Sequence, residues 1–367
     1  MLPASQGDQD HVIVPAQIAI EGAAIASVQR AHAPVAEPIV DFGDALVTPA
    51  FVNPHTHLSM ACFRGLAVDA ATQGNVIEDL FYAVESHLTD DDVRAFARLG
   101  CYESLLHGVG FVWEHYYEGA ALAQALCDTG LAGCIAPTVQ DVSGPGTAQL
   151  ERQVDATLAI HRDQALRDRG IVAALGPHAT DTVSVALWER VRDIAHREGL
   201  PVHAHVAQSI EEFERAHASH GVSCVGVLER AGMLSEDVER FLMVHAIFMT
   251  HEDLDVLDPR RHALCFCPYS QLIFNFPAHV PSWEERGLPW VVATDAAASN
   301  DSMNVQKEMR FVAGLRDAAL SSSPEYASFL RSGELEGARA VRDARARLFA
   351  ERRHWAHESF LLDRVWG

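Results

Sequence analysis

Two histidines, His55 and His57, stand two positions apart in the run Asn53-Pro-His-Thr-His57. Side chains alternate along a strand, so residues i and i+2 point the same way and can reach one ion. A second pair in His203-Ala-His205, a lone His245 after an apolar run, and Asp295 after Val291-Val-Ala-Thr294 add groups of the same kind. Neutral imidazole and carboxylate together suit zinc, iron or a similar divalent ion. Two histidines and a carboxylate would also serve a non-haem iron oxygenase. Taken singly, each group has a plainer reading as a hydrogen-bonded histidine pair, a core histidine or a helix N-cap aspartate.

What must position these groups is a series of strands ending side by side. Apolar runs at 45–52, 110–113, 132–136, 171–175, 201–205, 241–245, 263–266 and 290–294 read as strands, and helical patterns separate several of them. Thr89-Asp-Asp-Asp predicts a capped helix start, with Gly108 beyond the helix end. Further helices are expected at 119–129 before Gly130, near 147–169 before Gly170, and near 183–198 before Gly199. Eight strands alternating with helices predict an α/β fold, most economically a (β/α)8 TIM barrel with its chemistry at the C-terminal strand ends. A doubly wound sheet would want a glycine-rich phosphate turn after an early strand, where this chain has its first histidine pair. Short β-rich runs at 11–14, 17–20 and 24–29 make a sheet too small to stand alone. The expected organisation is therefore a small β domain over 1–50, a barrel over 51–320 and a helical segment over 321–367.

The 367 residues include 28 basic and 50 acidic side chains, a formal net charge of -22. That excludes a nucleic-acid binder working by bulk electrostatics, which neutralises phosphates with clustered Lys and Arg, and argues against an anionic membrane surface as partner. No uncharged apolar run approaches the roughly 18 residues of a membrane span, and Met1–Asp10 lacks the apolar core of a signal peptide. The seven cysteines are odd in number and scattered through apolar segments, which fits a reducing cytoplasm. Cys265 and Cys267 share a strand face, but no second pair completes a structural zinc site.

The motifs Val47-Thr-Pro-Ala-Phe-Val-Asn-Pro-His-Thr-His-Leu58, Arg64-Gly65, Gly176-Pro-His178, Val202-His-Ala-His-Val-Ala-Gln208, Val244-His245, Cys267-Pro268 and Ala293-Thr-Asp295-Ala-Ala-Ala-Ser-Asn300 follow one another along the chain. In them the chain resembles the amidohydrolase superfamily, in the branch of triazine hydrolases and cytosine-deaminase-like enzymes, and is similar also to formiminoglutamate deiminase. The resemblance implies one divalent metal ion, Zn2+ first and Fe2+ second, on His55, His57, His205 and Asp295. His205 rather than His203 is the implied ligand, because the family places a key residue three positions after it. His203 is left behind the ligands or against the barrel wall. The resemblance also implies Asp295 as proton acceptor, His245 beside the activated water and His178 at the substrate. Members with two metals bridge them with a carboxylated strand lysine. The only lysine here, Lys307, lies beyond Asp295 and cannot do so, so a single ion is expected.

One position departs from the family. Its deaminases carry a glutamate where this chain has Gln208, and an amide can hydrogen-bond a substrate but cannot carry a proton. Gln208 is kept with Asp295 and His245 as a catalytic-site residue, under three readings. The leaving group needs no such acid, Glu114 or His178 takes over, or the chain is an impaired variant. Glu211 and Glu212 are expected to face outward from a helix beginning near Ser209. Glu114, Arg64 and Gln271 join His178 as expected substrate contacts, with Tyr116 and Tyr117 near the mouth and Phe274 and Phe276 as an apolar wall. After Leu320 the chain reads as helical, and the strands that complete the small domain in the family are not evident, so a reduced or truncated small domain is expected.

The reading is a cytoplasmic, zinc-dependent hydrolase of non-peptide carbon–nitrogen bonds. Its expected activity is deamination of a small amino-heterocycle or amidine-like group, with self-association compatible. The alternatives are a dechlorinating or other hydrolase of the triazine type, an impaired metal-binding barrel and the iron oxygenase.

Overall fold

The computed structural model describes residues 15–22, 24–31, 39–66, 75–274, 277–321, 323–352 and 358–366. The expected strand at 11–14, Phe276 and the Phe274 side chain lie outside the described residues. Strands β1 (Ala16–Glu21) and β2 (Ala24–Arg30) form an antiparallel hairpin that leaves Ile20 and Ile25 exposed.

The remaining strands are β3 (Phe51–His57), β4 (Val109–Tyr116), β5 (Ala132–Val139), β6 (Ile171–Ala173), β7 (Gly176–Pro177), β8 (Val202–Val206), β9 (Phe241–His245), β10 (His262–Phe266), β11 (Trp290–Val292) and β12 (Asp295–Ala296). They pair in parallel as two sheets, β12-β3-β4-β5-β6 with β7 on β5, and β8-β9-β10-β11. The sheets meet twice. Leu175 bridges Val202, with Leu175 N donating to Pro201 O and His203 N to Leu175 O, each at 2.9 Å. At the other meeting, β11 pairs with β10 and β12 with β3 within one short stretch of chain. Asn53 ties that stretch down: its Nδ2 donates to Thr294 Oγ1 at 2.7 Å, and Thr294 N donates to Asn53 Oδ1 at 3.1 Å.

The expected first strand is shifted. Residues 45–50 are exposed and carry no strand, and pairing starts only at Phe51, beyond Pro49, which has no N–H to give a ladder. The strand then runs on through both histidines. The expected helix near 147–169 is two helices, Leu150–Arg162 and Gln164–Arg167, after a 3₁₀ turn at Pro145–Gln149. Asp163 separates them, its extended backbone ending the first while its side chain accepts from Ala165 N and Leu166 N to cap the second.

The helix Asp90–Leu106 starts at a Thr89–Asp92 capping box, as its sequence predicts. Its Gly100 allows a close approach: a Cβ there would sit 2.6 Å from the carbonyl oxygen of Leu58, the residue after the first histidine pair. The helix Gly119–Thr129 ends at Gly130, left-handed at φ 78. Among the described residues beyond 321 lie the helices Pro324–Ser332, Leu335–Arg352 and Glu358–Trp366. The helix Glu358–Trp366 buries Leu361 and Val365, and its Arg364 stacks 4.9 Å from the Trp290 ring and donates to Trp290 O at the start of β11. Among the described residues no helix is long and apolar enough to cross a membrane.

Candidate functional site

The ends of β3, β8, β9 and β12 bring five side chains to one point. His57 donates its Nδ1 proton to His115 O, and His205 donates its own to His178 O at 2.9 Å. A carbonyl can only accept, so each Nε2 is left as a bare lone pair. His57 Nε2 and His205 Nε2 lie 3.3 Å apart. Asp295 Oδ1 lies 3.4 Å from His55 Nε2 and 3.3 Å from His57 Nε2. A tetrahedron with metal–ligand bonds near 2.0–2.1 Å has edges of about 3.3–3.4 Å. His55 Nε2 and both ring nitrogens of His245 are buried without a hydrogen-bond partner. Orphaned nitrogens converging on a carboxylate fit a divalent ion of zinc's size.

Electrostatics agree with that fit. Burial, aided by His55, lowers His57 to about 4, and burial lowers His245 and His178 to about 3. His205 lies well below its ordinary value for the same reason. These imidazoles are therefore neutral near pH 7, as ligation requires. Burial alone would raise Asp295, but the surrounding imidazoles of His55, His245 and His57 hold it well below the usual carboxylate range. Its Oδ2 accepts from Ser270 Oγ at 2.5 Å and lies 3.9 Å from His245 Nε2. His245 and Asp295 both have left-handed backbones, at φ 75 and 62, a conformation that non-glycine residues hold only when their surroundings enforce it.

A cavity of about 190 Å³ opens over this point, with His57, His205 and Asp295 at its base. His178 and Gln208 also line it, as do Tyr116 and Tyr117. Glu114, Arg64 and Gln271 are not among its lining residues. Glu114 instead lies behind β3, where it accepts from Thr56 Oγ1 at 2.6 Å and Leu58 N at 2.9 Å while burial pushes its pKa up to about 8. Arg64 pairs with Glu103 at the surface. Gln271 donates to His245 O at 3.2 Å and accepts from Ala278 N at 2.9 Å, fastening the loop after β9.

Glu212 corrects the expectation of an outward-facing side chain. It is buried, because four donors from two loops converge on its carboxylate. Sequence reasoning also missed His115, Tyr82 and Glu85, all of which line the cavity. Strand alternation says only that Glu114 and His115 face opposite ways; which of them enters the cavity depends on how β4 pairs with β3. Tyr82 and Glu85 sit in a stretch with no motif of its own.

Comparison with known proteins places this geometry in a family. The model of the amidohydrolase family matches residues 46–331. The 5'-deoxyadenosine deaminase of Methanothrix thermoacetophila is 30% identical over 307 residues, covering 83% of this chain and 71% of that protein. Guanine deaminase from C. acetobutylicum superposes with a TM-score of 0.74 at 15% identity, covering 90% of this chain and 79% of that one. Atrazine chlorohydrolase from Arthrobacter aurescens complexed with zinc superposes with a TM-score of 0.66 at 19% identity, covering 99% and 81%. These two structural likenesses share a fold of parallel strands and helices. With most of its length matched by the family model and its histidines and aspartate gathered at the strand ends, the chain belongs to the amidohydrolase family.

Proposed function

We propose that this chain is a single-metal aminohydrolase that releases ammonia from a small amino-substituted heterocycle. The observation that carries the reading is the convergence of Asp295 Oδ1 with the bare Nε2 atoms of His55 and His57, and of His205 beside them, at the base of the 190 Å³ cavity. His55, His57, His205 and Asp295 would hold the ion, zinc before Fe2+. When bound, such an ion supplies a water acidified from 15.7 to about 7. One ion rather than two is supported by Lys307, the only lysine, which is exposed on the helix Val305–Ser321. The sheet pairings support a closed eight-stranded barrel over 51–320, and the seven free cysteines support a cytoplasmic setting.

In this reading Asp295 takes the proton through Oδ2, the oxygen nearer His245, and returns it to the departing nitrogen. His245 orients the attacking water. His178 is held by its Nδ1 contact to Thr182 Oγ1 at 2.8 Å and presents Nε2 to the substrate. Gln208 hydrogen-bonds the ring without carrying a proton. A heterocycle whose amine leaves with the help of Asp295 alone suits this set.

The test is ammonia release from the zinc-loaded protein across adenosine and 5'-deoxyadenosine, guanine, cytosine, aminotriazines and formimino compounds. Activity on one class supports the reading. Chloride release from a chlorotriazine would favour a dechlorinating enzyme, and oxygen uptake with stoichiometric iron would overturn the hydrolase. Gln208 itself favours a second reading, an impaired barrel. Gln208→Glu separates the two: if it creates turnover where none existed, the chain is impaired; if it abolishes turnover, glutamine belongs there.

A further inference from the structure

The carboxylate of Glu212 is enclosed by backbone. Its Oε1 accepts from Thr180 Oγ1 at 2.6 Å, Thr180 N at 3.3 Å and Ala207 N at 3.1 Å. Its Oε2 accepts from Gln208 N at 2.7 Å. Glu212 stands in the first turn of the helix Ile210–His220, whose cap Ser209 accepts from Glu212 N at 3.2 Å. The donors belong to two loops. Thr180 lies two residues after His178, beyond β7, while Ala207 and Gln208 follow β8 directly.

Ala207 has φ 55, a left-handed backbone on a residue that has a Cβ. That conformation persists in an alanine only when neighbouring bonds enforce it. Its own N–H and the next both point at Glu212, an arrangement that makes a concavity for an anion. Here the anion is part of the chain. Glu212 also borders the cavity, but both of its oxygens are engaged by these four donors. What it can do is set where its donors stand.

We infer that Glu212 is a positioning residue that locks the loops after β7 and β8 together, and so fixes His178 and Gln208 relative to one another across the cavity. The inference rests on the cavity being the active site. Its effect passes through Gln208, held by its own N–H, and His178, held two residues from Thr180. Without the carboxylate, the N–H groups of Ala207 and Gln208 lose their acceptor, and the left-handed turn is held only through the Ala207 carbonyl, which accepts from Ile247 N at 3.0 Å and Phe248 N at 2.9 Å.

The experiment has two arms on the zinc-loaded, full-length protein. Hydrogen exchange needs no turnover: Glu212→Gln is expected to speed exchange at the amides of Thr180, Ala207 and Gln208 at least about tenfold, with the β8 amides unchanged. Unchanged exchange at those three amides would overturn the lock, whatever the enzyme's activity. The kinetic arm is a double-mutant cycle. Glu212→Gln alone is expected to lower kcat/KM about 100-fold with zinc stoichiometry intact. In a His178→Ala/Gln208→Ala background it is expected to cost less than about threefold, because its targets are gone. An equal loss in both backgrounds would mean a merely structural role and would overturn the inference. If Glu212→Gln does not fold, Thr180→Val, which removes only the hydroxyl bond, runs through the same cycle, with about tenfold expected alone and the same collapse in the double background. Loss of the deaminase reading is told apart by the wild-type protein, which then releases no ammonia while the exchange arm still reads the lock.

Discussion

The hydroxyl of Ser270 donates a 2.5 Å hydrogen bond to Oδ2 of Asp295, so the carboxylate's other oxygen is the one turned to His55 and His57. The two oxygens thereby face different neighbours. Oδ1 faces the imidazoles of His55 and His57, and Oδ2 lies beside His245, the side from which the proposed reaction would move a proton. Ser270→Ala frees the carboxylate to rotate. We expect kcat to fall about tenfold or more, and zinc affinity to weaken by a similar factor, in line with other losses of groups that orient ligands. Steady-state kinetics with chelator competition measures both, and wild-type values for both would show that Ser270 does not set the carboxylate.

His55 Nδ1 and His203 Nε2 lie 2.9 Å apart. For His55 to offer Nε2 to a metal, Nδ1 must carry the proton and donate to His203. Replacing His203 with Phe removes that acceptor. Zinc affinity is then expected to drop about 10- to 100-fold. A dissociation constant equal to wild type, read with a chromophoric chelator, would return His203 to simple packing.

Glu114 holds Thr56 and Leu58, the residues beside His57 on either side. Glu114→Ala leaves the buried Leu58 N–H unpaired, at about 1–3 kcal/mol, while Thr56 Oγ1 keeps Trp113 O at 3.2 Å as acceptor. The expected result is a Tm lower by several degrees, with KM for the zinc-loaded enzyme within about threefold of wild type. A large rise in KM at an unchanged Tm would instead make Glu114 the substrate contact expected from its sequence position.

Glu85 lines the cavity, and burial pushes its carboxyl up to about 7 from the ordinary 4.5, against the opposing contact with Tyr116. A carboxyl raised in the folded state contributes stability that is full below its unfolded value and lost as pH rises through its folded value. The difference in Tm between wild type and Glu85→Gln is therefore expected to shift between pH 4.5 and 7, with the wild type relatively more stable at pH 5 than at pH 7.5. Thermal melts across that range check it. A difference that stays constant with pH would mean that the carboxyl does not titrate there.

The parts of this site legible in the sequence are those tied to strand period and strand end. His55 and His57 share a face because they are two apart, and His205, His245 and Asp295 follow apolar runs that become β8, β9 and the stretch from β11 to β12. The groups that were not legible depend on what lies across space. Glu212 reads as a surface residue on an amphipathic helix until Thr180, 32 positions earlier, is brought beside it. Glu114 and His115 are adjacent, and only the register of β4 against β3 decides which one enters the cavity. Arg64 was drawn into the expected pocket by its motif, but Glu103 on the helix Asp90–Leu106 claims it.

The two hydrogen bonds between Asn53 and Thr294 join residues 241 positions apart, just before His55 and His57 of β3 and Asp295 of β12. Contacts this distant in sequence carry the largest loop-closure cost and are slow to form. Asp295 cannot reach His55 and His57 until that seam has zipped. Metal uptake during refolding would thus act as a clock for the final closure, lagging any signal from the nearer β3–β4 or β8–β9 pairings.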